Sequence, residues 1–90
     1  MAFHEALVDD KQFFIKKSTR KNKKYDIYKN DKFLLSFGDK RYEQFKDSTP
    51  LKEYSKQDHN DEKRRRLYFL RHGKTSDKKT AKYWSNKYLW

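Results

Sequence analysis

Ten cations in two clusters are the groups in this chain best placed to do chemistry. Arg20, Lys21, Lys23 and Lys24 follow one another around a short connection, and Lys63, Arg64, Arg65, Arg66, Arg71 and Lys74 crowd into twelve residues. Guanidinium forks bind phosphate oxygens two at a time, while ammonium groups act as point charges. Spread over one helix, the second cluster covers more than one face, so part of it must meet solvent or a partner. The chemistry this predicts is the gripping of a polyanion. The net charge of +11 is also unevenly placed: residues 1–10 carry −3, residues 11–24 carry +7, residues 25–60 carry 0 and residues 61–90 carry +7. Two basic blocks around a neutral middle describe a surface footprint better than a general solubility charge. Two partners fit such a surface, nucleic acid and the acidic faces of other proteins in an assembly.

Catalytic groupings are weaker. Asp58-His59-Asn60-Asp61 contains metal-ligand types, yet His4, His59 and His72 are the only histidines and no two stand four apart. A nuclease-type metal site groups several carboxylates with a base. Standing just before a helical pattern, this run is better read as a capping and loop network. Arg71-His72-Gly73 resembles the opening of the histidine phosphatases, in which the His takes the phosphoryl group. That family also uses a second His and further Arg and acidic groups downstream. Here 17 residues follow Gly73, and none is His, Glu or Arg. A nucleophile without its supporting groups is not a site. The plainer reading is a helix end, with Gly73 as the cap and His72 beside the last carbonyls. No catalytic residue, metal or cofactor is therefore expected, and His59 would be the first residue to reconsider.

The elements that must position these groups are those of a small α+β domain. Charged residues make up 41% of the chain, which points toward disorder, but aromatics make up 18%, and rings bury enough area to build a small core. A single basic domain is expected over residues 11–90, preceded by an acidic segment over 1–10. Gln12-Phe13-Phe14-Ile15-Lys16, Lys24-Tyr25-Asp26-Ile27-Tyr28 and Lys32-Phe33-Leu34-Leu35-Ser36-Phe37 predict a three-stranded antiparallel meander, with Asn30-Asp31 as a two-residue hairpin turn and Gly38 ending the sheet. Two or three short helices should follow. Tyr42 and Phe45 could share one helical turn. Thr49-Pro50 suits a helix start that turns Leu51 and Tyr54 inward. A helix capped by Asn60 or Asp61 should run to Gly73 with Glu62 in its first turn. In it Leu67 and Leu70 share one face and Arg64, Tyr68 and His72 another. A last helix should start at Ser76 or Thr80 and bring Trp84 onto Tyr88. The expected core is Phe13, Ile15, Tyr25, Ile27, Leu35, Phe37, Leu67, Leu70 and Trp84. Most of the closing rings (Tyr83, Trp84, Tyr88, Trp90) belong with it, because little other apolar material is available. Trp90 should be docked.

No Cys is present, which excludes disulfides and thiolate metal sites and fits an intracellular setting. No apolar run approaches the length of a membrane span. The first ten residues lack the basic and apolar regions of a signal peptide.

From Ser36 to Trp90 the chain resembles a family of small basic proteins of large and giant double-stranded DNA viruses. The matching pieces are Ser36-Phe37-Gly38-Asp39 through Asp47, Asp58-His59-Asn60-Asp61 through Tyr68, Arg71-His72-Gly73-Lys74-Thr75, and Ala81-Lys82-Tyr83-Trp84 through Trp90. The resemblance implies a virion protein found inside infected host cells and carries over no catalytic residue. Joined to the basic clusters, it leads to the expectation of a non-enzymatic structural component, a minor capsid or core protein. Such a protein would bind viral DNA or acidic capsid proteins. A free DNA-binding or condensing protein of the virus is the alternative.

Overall fold

A computed structural model describes residues 5–8 and 12–90. Four strands form one antiparallel meander in chain order: β1 (Glu5–Val8), β2 (Phe13–Lys17), β3 (Lys23–Lys29) and β4 (Lys32–Asp39). Two helices follow, α1 (Glu62–His72) and α2 (Ala81–Tyr88), with a single 3₁₀ turn at Ser55–Gln57 before them. The α+β class expected from sequence is the one observed. The strand count is not, because three were expected and four are present. The segment read only as acidic, residues 1–10, contributes β1, whose Val8 is buried and whose Ala6 packs against the core. Residues 1–4 and 9–11 lie outside the described part. No helix among the described residues is long and apolar enough to cross a membrane.

Alternation drives the sheet. Tyr25 and Ile27 point to one face and both are fully buried, alongside Ile15, Phe13 and Phe37. Ile15 faces Ile27, which faces Leu35 on the next strand, so β-branched and leucine side chains stack in a row across three strands. The β3–β4 hairpin turns on Asn30 and Asp31 at φ 52° and 63°, the left-handed pair that a type I′ turn requires. Gly38 does not end the sheet. It sits inside β4 at φ +78°, and a Cβ there would come within 2.9 Å of Leu89 Cδ1 and 3.0 Å of Lys24 Cβ. A side chain is excluded at that point because Leu89 and the Lys24 stem occupy its place.

The core is closed by α2. Thr80 caps it by accepting from Tyr83 N–H at 3.3 Å. Trp84, fully buried, meets Phe13 edge to face at 5.0 Å and lies nearly parallel to Tyr88 at 6.1 Å. Its indole N–H donates to Lys78 C=O at 2.9 Å, so no polar atom of the ring is left bare. Fully burying a side chain of this size contributes on the order of 3 kcal/mol.

Residues 40–60 contain no α-helix. Tyr42 is 64% exposed, so the expected Tyr42–Phe45 helical turn is absent. Thr49-Pro50 starts no helix either. Thr49 Oγ1 does accept from Lys52 N–H at 3.0 Å, as a cap would, but Lys52 then turns to φ +49° and the chain leaves the helical path. Leu51 and Tyr54 still pack on the core as expected. What orders this segment is buried polar bonding. Asp47, 1% exposed, accepts from Tyr25 Oη at 2.6 Å, Tyr54 N–H at 3.0 Å and Thr49 Oγ1 at 2.6 Å. Asp58 accepts from Gln44 Nε2 and from Asp47 N–H, both at 2.7 Å. A long irregular segment holds one shape when its polar groups have partners inside it.

Helix α1 turns a different side inward from the one expected. Leu67 and Leu70 were expected in the core, but they are 46% and 75% exposed. The helix docks by its rings instead. Tyr68 lies flat on Trp90, and the Arg65 guanidinium sits between Phe45 and Phe69 at 5.3 and 5.4 Å from their centroids. Two large rings and a guanidinium plane offer more contact area than two leucines, and they win the inward side.

Candidate polyanion-binding groove

The start of α1 is built by the Asp58–Asp61 run. Asp61 Oδ1 accepts from Lys63 N–H at 2.9 Å and Arg64 N–H at 3.3 Å, and Asp61 N–H donates to His59 Nδ1 at 3.0 Å. His59 is held by N–H donation to Gln44 C=O at 2.9 Å and by the neighbouring rings of Phe45 and Trp90. Burial, then the nearby Arg64, pushes its pKa down, in the direction that suits an Nδ1 accepting from Asp61. The capping reading of this run therefore describes its geometry. Among the described residues no group of three or more His, Cys, Asp or Glu could hold a metal ion.

This start aims one side of α1 at the ends of β3 and β4. Between them, with the 40–44 segment and α2 as the other walls, lies an open groove of about 600 Å³. Lys23, Arg64, Arg71 and His72 line it together with the rings of Tyr42, Tyr68 and Trp90. Two acids also face it, and both are engaged. Arg41 grips Asp39 with two guanidinium bonds, at 3.0 and 2.7 Å, and holds its carboxyl down at about 2. Glu43 accepts from Arg64 Nη1 at 3.1 Å, with both side chains half exposed. An exposed pair of this kind is worth little, so Arg64 can exchange Glu43 for a phosphate at small cost. Arg71 makes no ion pair among the described residues.

The ten cations singled out in the sequence have different fates. Lys23, Arg64 and Arg71 reach the groove from basic blocks about 40 residues apart in sequence. Lys24 also borders it but is 1% exposed, so it cannot present its charge to a partner. Its Nζ donates to Tyr42 C=O at 2.9 Å and, in a short bond, to Gln44 Oε1. Burial pushes its pKa down to about 8, against the pull of Asp47, Asp39 and Asp58. Lys24 is thus a structural residue. Arg65 is committed as well, since its Nε donates to Trp90 C=O at 2.6 Å. Lys63 and Arg66 stand exposed on α1, and Lys74 lies 5.3 Å over the Phe69 ring. On the β2–β3 connection Lys21 is exposed, and Arg20 leans onto the outer face of the sheet, 3.9 Å over Phe33.

Sequence reasoning missed the rings of the groove. Tyr68 was visible as the partner of Arg64 and His72 at four-residue spacing, but Tyr42 and Trp90 reach the same wall only through tertiary packing. A cationic rim with flat rings behind it can hold phosphate oxygens by Arg forks and carry a sugar or base against the aromatic wall. Comparison with known proteins adds no assignment: no protein-family model, curated protein or solved structure matches this chain.

Proposed function

We propose that this chain is a non-enzymatic binding protein that grips the DNA backbone through the groove between β3–β4 and α1. We further propose that it serves as a minor capsid or core component of a large double-stranded DNA virus particle. One observation carries the binding reading: Lys23, from the first basic block, and Arg64 and Arg71, from the second, line one groove. Cations brought together by folding from distant segments favour a polyanion more strongly than a solvated charged face does. The virion setting rests on the resemblance of residues 36–90 to small basic virus proteins, and a free DNA-condensing role uses the same groove.

A second reading has its own support. On the outer side of α1 the exposed Leu67 and Leu70 stand beside the exposed Lys63 and Arg66. An apolar strip with a cationic border suits an acidic protein surface, such as that of a capsid protein.

Binding of a short fluorescent duplex across a salt series separates the two. A DNA-gripping groove gives a steep slope, near −0.9 for each phosphate engaged. Lys23→Glu with Arg71→Glu then lowers affinity and flattens the slope by about two such contacts. Lys63→Glu with Arg66→Glu leaves the groove intact and serves as the comparison. If the wild-type chain fails to bind duplex near physiological salt, the basic faces belong to acidic proteins.

A further inference from the structure

The face of the sheet turned away from α2 carries a row that its register makes continuous. Leu7 pairs with Phe14, Phe14 with Tyr28, and Tyr28 with Phe33, so one apolar position from each of the four strands lies side by side. Three of the four are rings. Leu7 is 55% and Phe33 42% exposed, while Phe14 and Tyr28 are partly exposed. Tyr28 and Phe33 meet edge to face at 5.8 Å. Cations attend the row. Lys16 Nζ lies 6.0 Å from the Tyr28 centroid, and the Arg20 guanidinium covers Phe33 at 3.9 Å. Between Leu7, Phe14 and Tyr28 the surface sinks into a hollow of about 400 Å³ whose rim includes Gln12, Asn30 and Asp31. Asp26, also on this face, is buried and accepts from Ser36 Oγ at 2.5 Å, with Arg20 at 3.8 Å.

We infer that this face is a stacking surface for single-stranded nucleic acid. Unpaired bases lie on Phe14 and Tyr28 and take the place of Arg20 on Phe33, and Lys16 and the displaced Arg20 hold the phosphates between them. Every base has a π-face, so a row of rings accepts them without regard to sequence. A base also fits the size of the hollow, and the Gln12 and Asn30 amides at its rim supply both donors and acceptors. A duplex keeps its bases stacked on one another and cannot use such a row. Charge argues against the same face pairing with a second copy, since that would bring together two chains of +11 with Lys16 and Arg20 at the joint. The hollow shares no lining residue with the groove, which lies at the opposite ends of β3 and β4 and needs no unpaired base.

The experiment measures anisotropy of labelled oligo-dT and of a duplex with the full chain and its variants, with the thermal midpoint of each variant recorded. Phe33 is exposed, so its substitution spares the fold. Phe33→Ala and Phe33→Leu should each weaken oligo-dT binding by about five- to a hundredfold, the loss of one stacked base, while Phe33→Trp retains it. Lys16→Glu should weaken it too. Duplex binding should stay unchanged in all four. The inference is overturned if Phe33→Leu binds oligo-dT as well as the wild type, because the row then acts through apolar area alone. It also fails if Lys23→Glu with Arg71→Glu removes oligo-dT and duplex binding equally, because the single strand then occupies the groove. Sedimentation gives a third check: a dimer that Phe33→Ala dissociates assigns the face to a second copy instead.

Discussion

The rings of Tyr68 and Trp90 lie 4.3 Å apart and 4° from parallel, and this stack seats α1 on the rest of the protein. The helix buries no residue completely. Its attachment depends on Tyr68, on Phe69 and on Arg65, whose Nε donates to Trp90 C=O at 2.6 Å. Burial also pushes the Tyr68 phenol pKa up. Trp90→Ala removes the ring under Tyr68 and the neighbour of His59 together. We expect a loss of about 2–3 kcal/mol, below the range for a fully buried Trp because this one is only partly covered. Far-ultraviolet circular dichroism should show part of the helix signal melting before the sheet does. A single transition at the wild-type midpoint would mean that α1 is held by other contacts.

Tyr25 and Asp47 form the second anchor. The phenol donates to the carboxylate at 2.6 Å and accepts from Glu53 N–H at 2.9 Å, so one hydroxyl fastens β3 to the irregular segment. Burial, reinforced by the bond to Asp47, drives the phenol pKa well above its ordinary value. Tyr25→Phe keeps the ring packed against Phe37 and Tyr54 but strips a donor from a buried carboxylate. It should cost about 1–3 kcal/mol, the range for leaving a buried polar group unsatisfied. Chemical denaturation reads this directly, and an unchanged midpoint with an unchanged slope would show that Asp47 finds another donor.

Parts of this architecture were legible in the sequence and parts were not, for physical reasons. β2, β3, β4 and the Asn30-Asp31 turn could be read because alternation and left-handed turn residues are local signals. Both ends of α1 and the start of α2 were readable for the same reason, through Asp61, Gly73 and Thr80. β1 escaped notice because its four residues, Glu5-Ala6-Leu7-Val8, carry too short an alternation. Which side of α1 faces inward was misread because Leu67, Tyr68, Phe69 and Leu70 are consecutive, so no periodicity selects a face. The bonds among Gln44, Asp47, Thr49 and Asp58 have no period at all. Lys24 looked like its neighbours in the cluster. Its burial depends on Gly38, whose missing side chain leaves room for the lysine stem. That contact is created by strand pairing and has no trace in the local sequence. The groove was legible only as two separate basic blocks, and only the fold joins them.

Two glycines have positive φ, and they should respond differently to alanine. At Gly38 a Cβ would stand 2.9 Å from Leu89 Cδ1 and 3.0 Å from both Lys24 Cβ and Cδ, on top of the cost of φ +78°. At Gly73, φ 69° with ψ −169° is a conformation that only glycine adopts readily, yet a Cβ there would meet nothing within 4 Å. Gly73→Ala should therefore cost about 1–3 kcal/mol from the backbone alone. Gly38→Ala should cost more, because a displaced Leu89 or Lys24 adds overpacking of about 1–3 kcal/mol to similar backbone strain. Thermal midpoints for the two variants in one buffer decide the order. Equal losses would show that Leu89 and the Lys24 stem yield without resistance.

Stability should rise with alkaline pH before it falls. Lys24 has a pKa of about 8 in the folded protein against an ordinary value of 10.5. Below pH 8 it is charged in both states, and folding bears the full cost of burying that charge. Between pH 8 and 10.5 the folded protein releases the proton while the unfolded chain still holds it. The unfolded state then binds more protons, and the free energy of unfolding increases with pH. A shift of this size corresponds to roughly 3 kcal/mol over the whole window. Near pH 10 the trend should reverse. Tyr25, Tyr54 and Tyr68 all have raised pKa values, so the unfolded chain loses phenol protons that the folded protein keeps. Urea midpoints from pH 7 to 11 should therefore pass through a maximum. In Lys24→Met the rising limb should vanish, leaving a flat region and the same alkaline fall. A rising limb that survives in Lys24→Met would place the buried titrating group elsewhere.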